Sequence, residues 1–168
     1  MSLLTTMMTP QQAKKPSWET GLGLWNMAAF KITGLAMVEF FMIQAFDEDL
    51  KDMLETAKEK IIIPHIERIQ EFMENEKITA PAVPNRKNLQ AIQNKLEPNS
   101  IFSDNEIAID ICTIIRQGLQ IDLAAITDIA RPDVRKFAWD IFSDDFKDFD
   151  SAAKLFVKKN WIETPPTI

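Results

Sequence analysis

From Trp18 to Phe46 the residues at steps of three and four are almost all apolar: Trp18, Leu22, Trp25, Ala29, Ile32, Ala36, Ile43 and Phe46, with Glu39 the one charge on the line. That period belongs to an α-helix facing other helices. At 1.5 Å per residue such a helix runs for roughly 43 Å. A helix this long needs partners of similar length. The same stretch also invites a reading as a membrane span, but it contains Asn26, Lys31, Glu39 and Gln44. A central Lys and a central Glu would each cost about 2.5–3.5 kcal/mol in a bilayer. The expectation is a buried helix of a bundle, with no membrane span.

The rest of the chain supplies the partners. Asp47-Glu48-Asp49 turns the chain and places acids at the next helix N-terminus, where the helix dipole favours them. The second helix shows Leu50, Leu54, Ala57, Ile61, His65 and Phe72 on one side, with Pro64 expected to kink it because it lacks a backbone donor. Helical periodicity then fails between Asn75 and Phe102, where Pro81, Pro84 and Pro98 mark a connection with at most one short helix at Leu89 to Leu96. This is far longer than an ordinary helix–helix loop, so it is expected to run the length of the bundle. Ser103-Asp104-Asn105-Glu106 reads as a capping box opening a third helix. That helix carries a polar stripe of Glu106, Asp110, Thr113, Gln117 and Gln120, and Gly118 within it predicts a close helix contact. Pro132 and Asp133 suit the first turn of a fourth helix. It is expected to bury Ala138, Phe142, Phe149, Ala153 and Phe156, with Asp145 at best on the flank.

No strand pattern competes. The expected fold is all-α: a ferritin-like four-helix bundle of two antiparallel helical hairpins joined by a long Pro-containing crossover. The 168 residues fit one domain over 17–168, preceded by a flexible arm over 1–16 whose lysines follow its modest apolar pairs, the reverse of a secretory signal. A cytoplasmic protein is expected.

Several short pieces also match a known family in order and spacing. They are His65-Ile66-Glu67, Phe102-Ser103-Asp104, Gly118-Leu119, Arg131-x-Asp133-Val134-Arg135 with Phe137, and the terminal Pro165-Pro166-x-Ile168. From Ser17 to Ile168 the chain is similar to ferritin-like proteins of unknown function from spore-forming bacteria, which are candidate spore coat proteins. Many of these carry two such units in tandem, and this chain has one. The resemblance implies the bundle fold and a link to sporulation, including deposition on the spore coat. It carries over no activity and no catalytic residues.

Composition narrows the chemistry. Asp and Glu outnumber Lys and Arg by 25 to 19, a net charge of −6 that argues against nucleic acid or anionic lipid as partner. With one Cys there is no internal disulfide and no Cys-rich zinc site. Cys112, set among isoleucines, reads as an inert core thiol, and Asp144, Asp148 and Asp150 read as a solvated helix face. A di-iron centre in a four-helix bundle takes Glu-x-x-His from two helices; this chain has one His, preceded at that spacing by Ile62. No metal and no cofactor are expected.

Three polar positions remain on apolar helix sides: Glu39, His65 and Asp122. If the crossover makes the second and third helices parallel, His65 and Asp122 lie within roughly 5 Å in height, with Glu39 roughly 15 Å or more away. They form either a small polar pocket, or half of a metal site completed by a ligand, or a buried pair satisfied by hydrogen bonding, as burial demands of polar groups anyway. Two functions follow. The first is a non-enzymatic structural or interaction protein associated with the spore coat, its partners a second copy of the chain or other coat proteins. Zero Tyr excludes dityrosine cross-linking in that role. The second is a small-molecule or metal-binding bundle that lacks the standard di-iron site.

Overall fold

The computed structural model describes residues 16–84, 91 and 95–162. Within them α1 spans Trp18–Gln44, α2 Glu48–Ala57, α3 Ile63–Asn75, α4 Asp104–Asp128 and α5 Pro132–Lys158, and a π-helical turn, Lys58–Ile62, joins α2 to α3 into one rod. The predicted helix near Leu89 to Leu96 falls largely outside the described residues, as do all but the last residue of the predicted arm and the Pro-rich tail.

Local chemistry fixes the ends. Ser17 caps α1 by accepting from the Thr20 N–H, and Asp47 caps α2 by accepting from the Leu50 N–H. Ser103 and Glu106 form the predicted capping box: the Ser103 Oγ accepts from the Glu106 N–H at 3.4 Å and the Glu106 carboxylate accepts from the Ser103 N–H at 2.8 Å. The rod α2–α3 departs from expectation. Pro64 has no N–H for the Lys60 carbonyl and its ring crowds that oxygen; what precedes it is the π-helical turn, which widens the helix there. The wide turn also shifts the seam. Beyond it the buried residues are His65, Ile66, Ile69 and Met73, and the predicted Phe72 is only half-buried.

Contacts at the two ends define the topology. Asp104 at the start of α4 accepts from the Phe46 and Asp47 N–H groups between α1 and α2. Lys159, after α5, pairs with Asp47 at 2.7 Å. At the opposite end Glu76, after α3, binds Arg131 before α5, and Phe72 stacks on Phe137 at 4.5 Å. The hairpins α1/α2–α3 and α4/α5 are therefore each antiparallel, and α2–α3 runs parallel to α4. The connection from Asn75 to Phe102 crosses from one end of the bundle to the other. Gln44 receives its return, its Oε1 accepting from the Ile101 N–H at 2.8 Å.

Two apolar cores fill the bundle. One holds Phe41, Leu50, Leu54, Ile107, Ile111 and Phe156; the other holds Leu24, Met27, Ile69, Ala125, Val134 and Ile141. The α1 seam is a correction to the sequence reading. Leu24, Ala28, Lys31, Leu35 and Val38 face inward, whereas Trp18, Leu22, Trp25, Ala36 and Phe46 face out; of the predicted seam only Glu39 and Ile43 are buried. α1 is apolar on nearly every side, so periodicity could not choose its face. By length and mean hydropathy (1.4) it could cross a membrane, but half of that stretch is buried inside the bundle. On α5 the inward line is Val134, Ala138, Ile141, Asp145, Ala152 and Phe156; Phe142, Phe149 and Ala153 are half-buried.

Candidate functional site

Between the two apolar cores lies a polar layer to which each rod contributes one buried side chain: Lys31 from α1, His65 from α3, Asp122 from α4 and Asp145 from α5. Parallel α2–α3 and α4 bring His65 and Asp122 to one height. The residue between them is Asp145, expected from the sequence only on a flank. The Lys31 ammonium donates to Asp145 Oδ2, with both side chains more than nine-tenths buried. His65 Nδ1 lies 3.2 Å from Asp145 Oδ1, off the line of a hydrogen bond, and its Nε2 lies 3.6 Å from Asp144.

The two carboxyls of the layer split their protonation. Burial, with the Asp145 charge beside it, raises Asp122 to about 8 against the pull of Lys31, so Asp122 keeps a proton at neutral pH. Burial alone would raise Asp145 too, but His65 and Lys31 outweigh it, and the proton held by Asp122 adds to them; Asp145 falls to about 2. The layer is thus an ammonium facing a carboxylate, flanked by an imidazole and a carboxylic acid. One oxygen of Asp122, Oδ2, is buried without a hydrogen-bond partner.

Glu39 is buried but sits two helical turns along α1 from Lys31, outside this layer. Asp148 also departs from the solvated-face reading. It is half-buried and lines an internal cavity with Lys31 and Asp145. Burial raises its carboxyl, and Asp145 adds to the rise while Lys31 and His65 oppose it. Asp150 pairs outward with Lys154, and Asp144 with Lys147. Cys112 lies in the first apolar core, where burial pushes its thiol up despite Arg116. Two of the layer's residues, Lys31 and Asp145, do not stand out in the sequence; an inward phase for α1 through Lys31 would reveal the first, while Asp145 lies on α5 among charged neighbours.

These residues do not fit a di-iron centre. A metal pair needs several ionised carboxylates and two imidazoles. The layer offers one carboxylate already bound to an ammonium, one protonated acid and one imidazole. Among the described residues no group of three or more His, Cys, Asp or Glu is placed to hold a metal.

An all-helical, two-hairpin bundle with a buried ion pair in a polar layer between two apolar cores is the class the geometry defines. The chain belongs to DUF3231, a family of proteins of unknown function, matched over residues 8–168. Its fold is similar to the crystal structure of a candidate spore coat protein from Bacillus halodurans, at 19% identity and a TM-score of 0.80, covering 94% of this chain and 98% of that one. It is also similar to a conserved hypothetical protein from Mycobacterium tuberculosis, at 12% identity and a TM-score of 0.65, covering 82% of this chain and 96% of that one. No curated protein sequence matches the chain.

Proposed function

We propose that the protein is a non-enzymatic structural or interaction component, associated with the spore coat, that works through its outer helix faces. One observation carries this reading. The outward stripe of α1 exposes Trp18, Leu22 and Trp25 (78%, 43% and 45%), and it borders a groove of about 210 Å³ against Ile121, Ala124 and Asp128 of α4. Large apolar side chains grouped beside a groove are a feature of interaction surfaces. The topology supports a ferritin-like reading of the bundle, and Lys31 supplies internally the positive charge that a metal would bring. The residues behind the family resemblance serve as fasteners: Ser103 caps, Asp104 ties a turn, Arg131 clamps Glu76 and Asp133.

Sedimentation equilibrium of the wild type and of a Trp18→Ser/Trp25→Ser variant tests it. Expected is a concentration-dependent dimer that the variant loses. A wild-type monomer shifts the reading to a coat partner, and absence of the chain from spore extracts of the encoding organism then removes it. The cavity beside Lys31 favours a second reading, a small-molecule-binding bundle.

A further inference from the structure

The polar layer does not close the interior beside it. Toward the core that holds Phe41 and Phe156, a cavity of about 60 Å³ remains, bounded by all four rods. Missing side chains make the room. A Cβ on Gly34 would meet nothing within 4 Å, and Ala57, Gly118 and Ala152 also line the space. The π-helical turn forms another wall through Ile61 and Ile62. A π turn inside an α-helix often marks a functional position. Since a water molecule takes about 30 Å³ of liquid, the volume suits two waters or a ligand of two or three heavy atoms.

Its walls are apolar except where Lys31, Asp145 and Asp148 converge. Lys31 and Asp145 compensate one another. Asp148 makes no hydrogen bond or ion pair among the described residues and feels Lys31 and His65 only at a distance, so the one charged group on the wall without a direct partner is a carboxyl. We propose that this cavity binds a small primary ammonium ion of the size of methylammonium or ethylammonium, its ammonium group held by Asp148 and Asp145 and its alkyl end set against Ile61, Ile62 and Ile111. An anion of that size would meet two carboxyl groups and an ammonium already paired with one of them. A neutral molecule would leave Asp148 unpaired in a half-buried place. The assignment rests on the small-molecule reading of the bundle and names the ligand class for it.

The test is an NMR titration of full-length protein labelled at isoleucine methyls, with ethylammonium, ethanol and acetate at matched ionic strength. Ethylammonium is expected to give saturable shifts at Ile61, Ile62 and Ile111, with the other two far weaker. Asp148→Asn should weaken ethylammonium by about tenfold or more, the loss of one charge pair at low dielectric. Gly34→Ala puts a methyl group into the room and should weaken ethylammonium more than methylammonium. Ethanol binding as tightly as ethylammonium, or an unchanged affinity in Asp148→Asn, overturns the ammonium assignment and leaves the small-molecule reading standing. An unchanged response in Gly34→Ala places the ligand elsewhere and also overturns it. No saturable shift with any of the three overturns both.

Discussion

Lys31 and Asp145, separated by 114 residues and carried on α1 and α5, form the ion pair at the centre of the bundle. Their side chains are 9% and 8% exposed, so neither charge can turn to water. Breaking one side of such a pair is far worse than replacing both, because the remaining charge stays buried and unpaired. Lys31→Met is therefore expected to cost about 3–5 kcal/mol, and Lys31→Met/Asp145→Leu much less than the sum of the single changes. Urea unfolding of the three variants measures it. Equal, small losses in both single variants would show that the pair is not closed to solvent.

The split between Asp122 and Asp145 sets a pH dependence whose sign can be worked out. Asp122 is raised from 3.8 to about 8 in the folded chain, so between those values the folded state holds a proton that the unfolded state has released. Its contribution is fully present below pH 3.8 and is lost as pH rises through about 8. Asp145, lowered to about 2, acts oppositely: its contribution is present above 3.8 and is lost as pH falls through about 2. Asp47 and Asp133 are lowered as well, by Lys159 and Arg131 respectively, and so change only on the acid side. Stability from the layer should peak near pH 4 and decline toward pH 8. Asp122→Asn, an uncharged mimic of the protonated acid, should flatten that decline and be more stable than the wild type at pH 8. Unfolding curves at pH 5, 6.5 and 8 give the comparison, and parallel profiles for the two proteins would refute the raised Asp122.

The helices, the crossover and the capping box were legible because each has a local signal: apolar period, proline spacing, and Ser103 with Glu106. His65 and Asp122 were legible as polar breaks in otherwise apolar faces. Lys31 was not, because α1 is apolar nearly all round and its phase is set by which face the neighbouring helices cover. The seam drawn through Trp18, Leu22 and Trp25 is the outward stripe. Asp145 was hidden by its neighbours, since Asp144 and Asp148 make the segment read as a charged surface. The π-helical turn left no trace in the pattern beyond Pro64, yet it moves every later residue of the rod by one position and forms a wall of the cavity.

Two glycines of α1 should respond oppositely to alanine. Gly34 faces open space, so Gly34→Ala removes the backbone entropy cost of glycine in a helix and fills part of a void; a gain of about 1 kcal/mol is expected. A Cβ on Gly23 would lie 2.8 Å from Ile129 Cδ1, and Ile129 is fully buried in the second core. Its side chain must shift, which offsets the propensity gain, so Gly23→Ala is expected to be neutral or destabilising by up to about 1 kcal/mol. Equal gains in both, read from denaturation midpoints, would mean that α1 and α4 do not approach as closely as Gly23 and Ile129 indicate.

Ser103 and Asp104 are adjacent but hold different things. Ser103 serves its own helix through the capping box, whereas Asp104 reaches the other hairpin, accepting from the Phe46 N–H at 2.8 Å and the Asp47 N–H at 3.0 Å. Ser103→Ala should cost about 1 kcal/mol through α4 alone. Asp104→Ala should cost about 1–2 kcal/mol, because it frees two donors in a partly exposed turn that water can reach. The two are separable by where the damage falls. Amide hydrogen exchange at Phe46 and Asp47 is expected to quicken in Asp104→Ala and to stay as in the wild type in Ser103→Ala. Asp104→Asn, which keeps one carbonyl oxygen, should fall between them. Unchanged exchange at both amides in Asp104→Ala would show that the α1–α2 turn holds its shape without α4, and that the two hairpins are joined at this end by Lys159 and Asp47 instead.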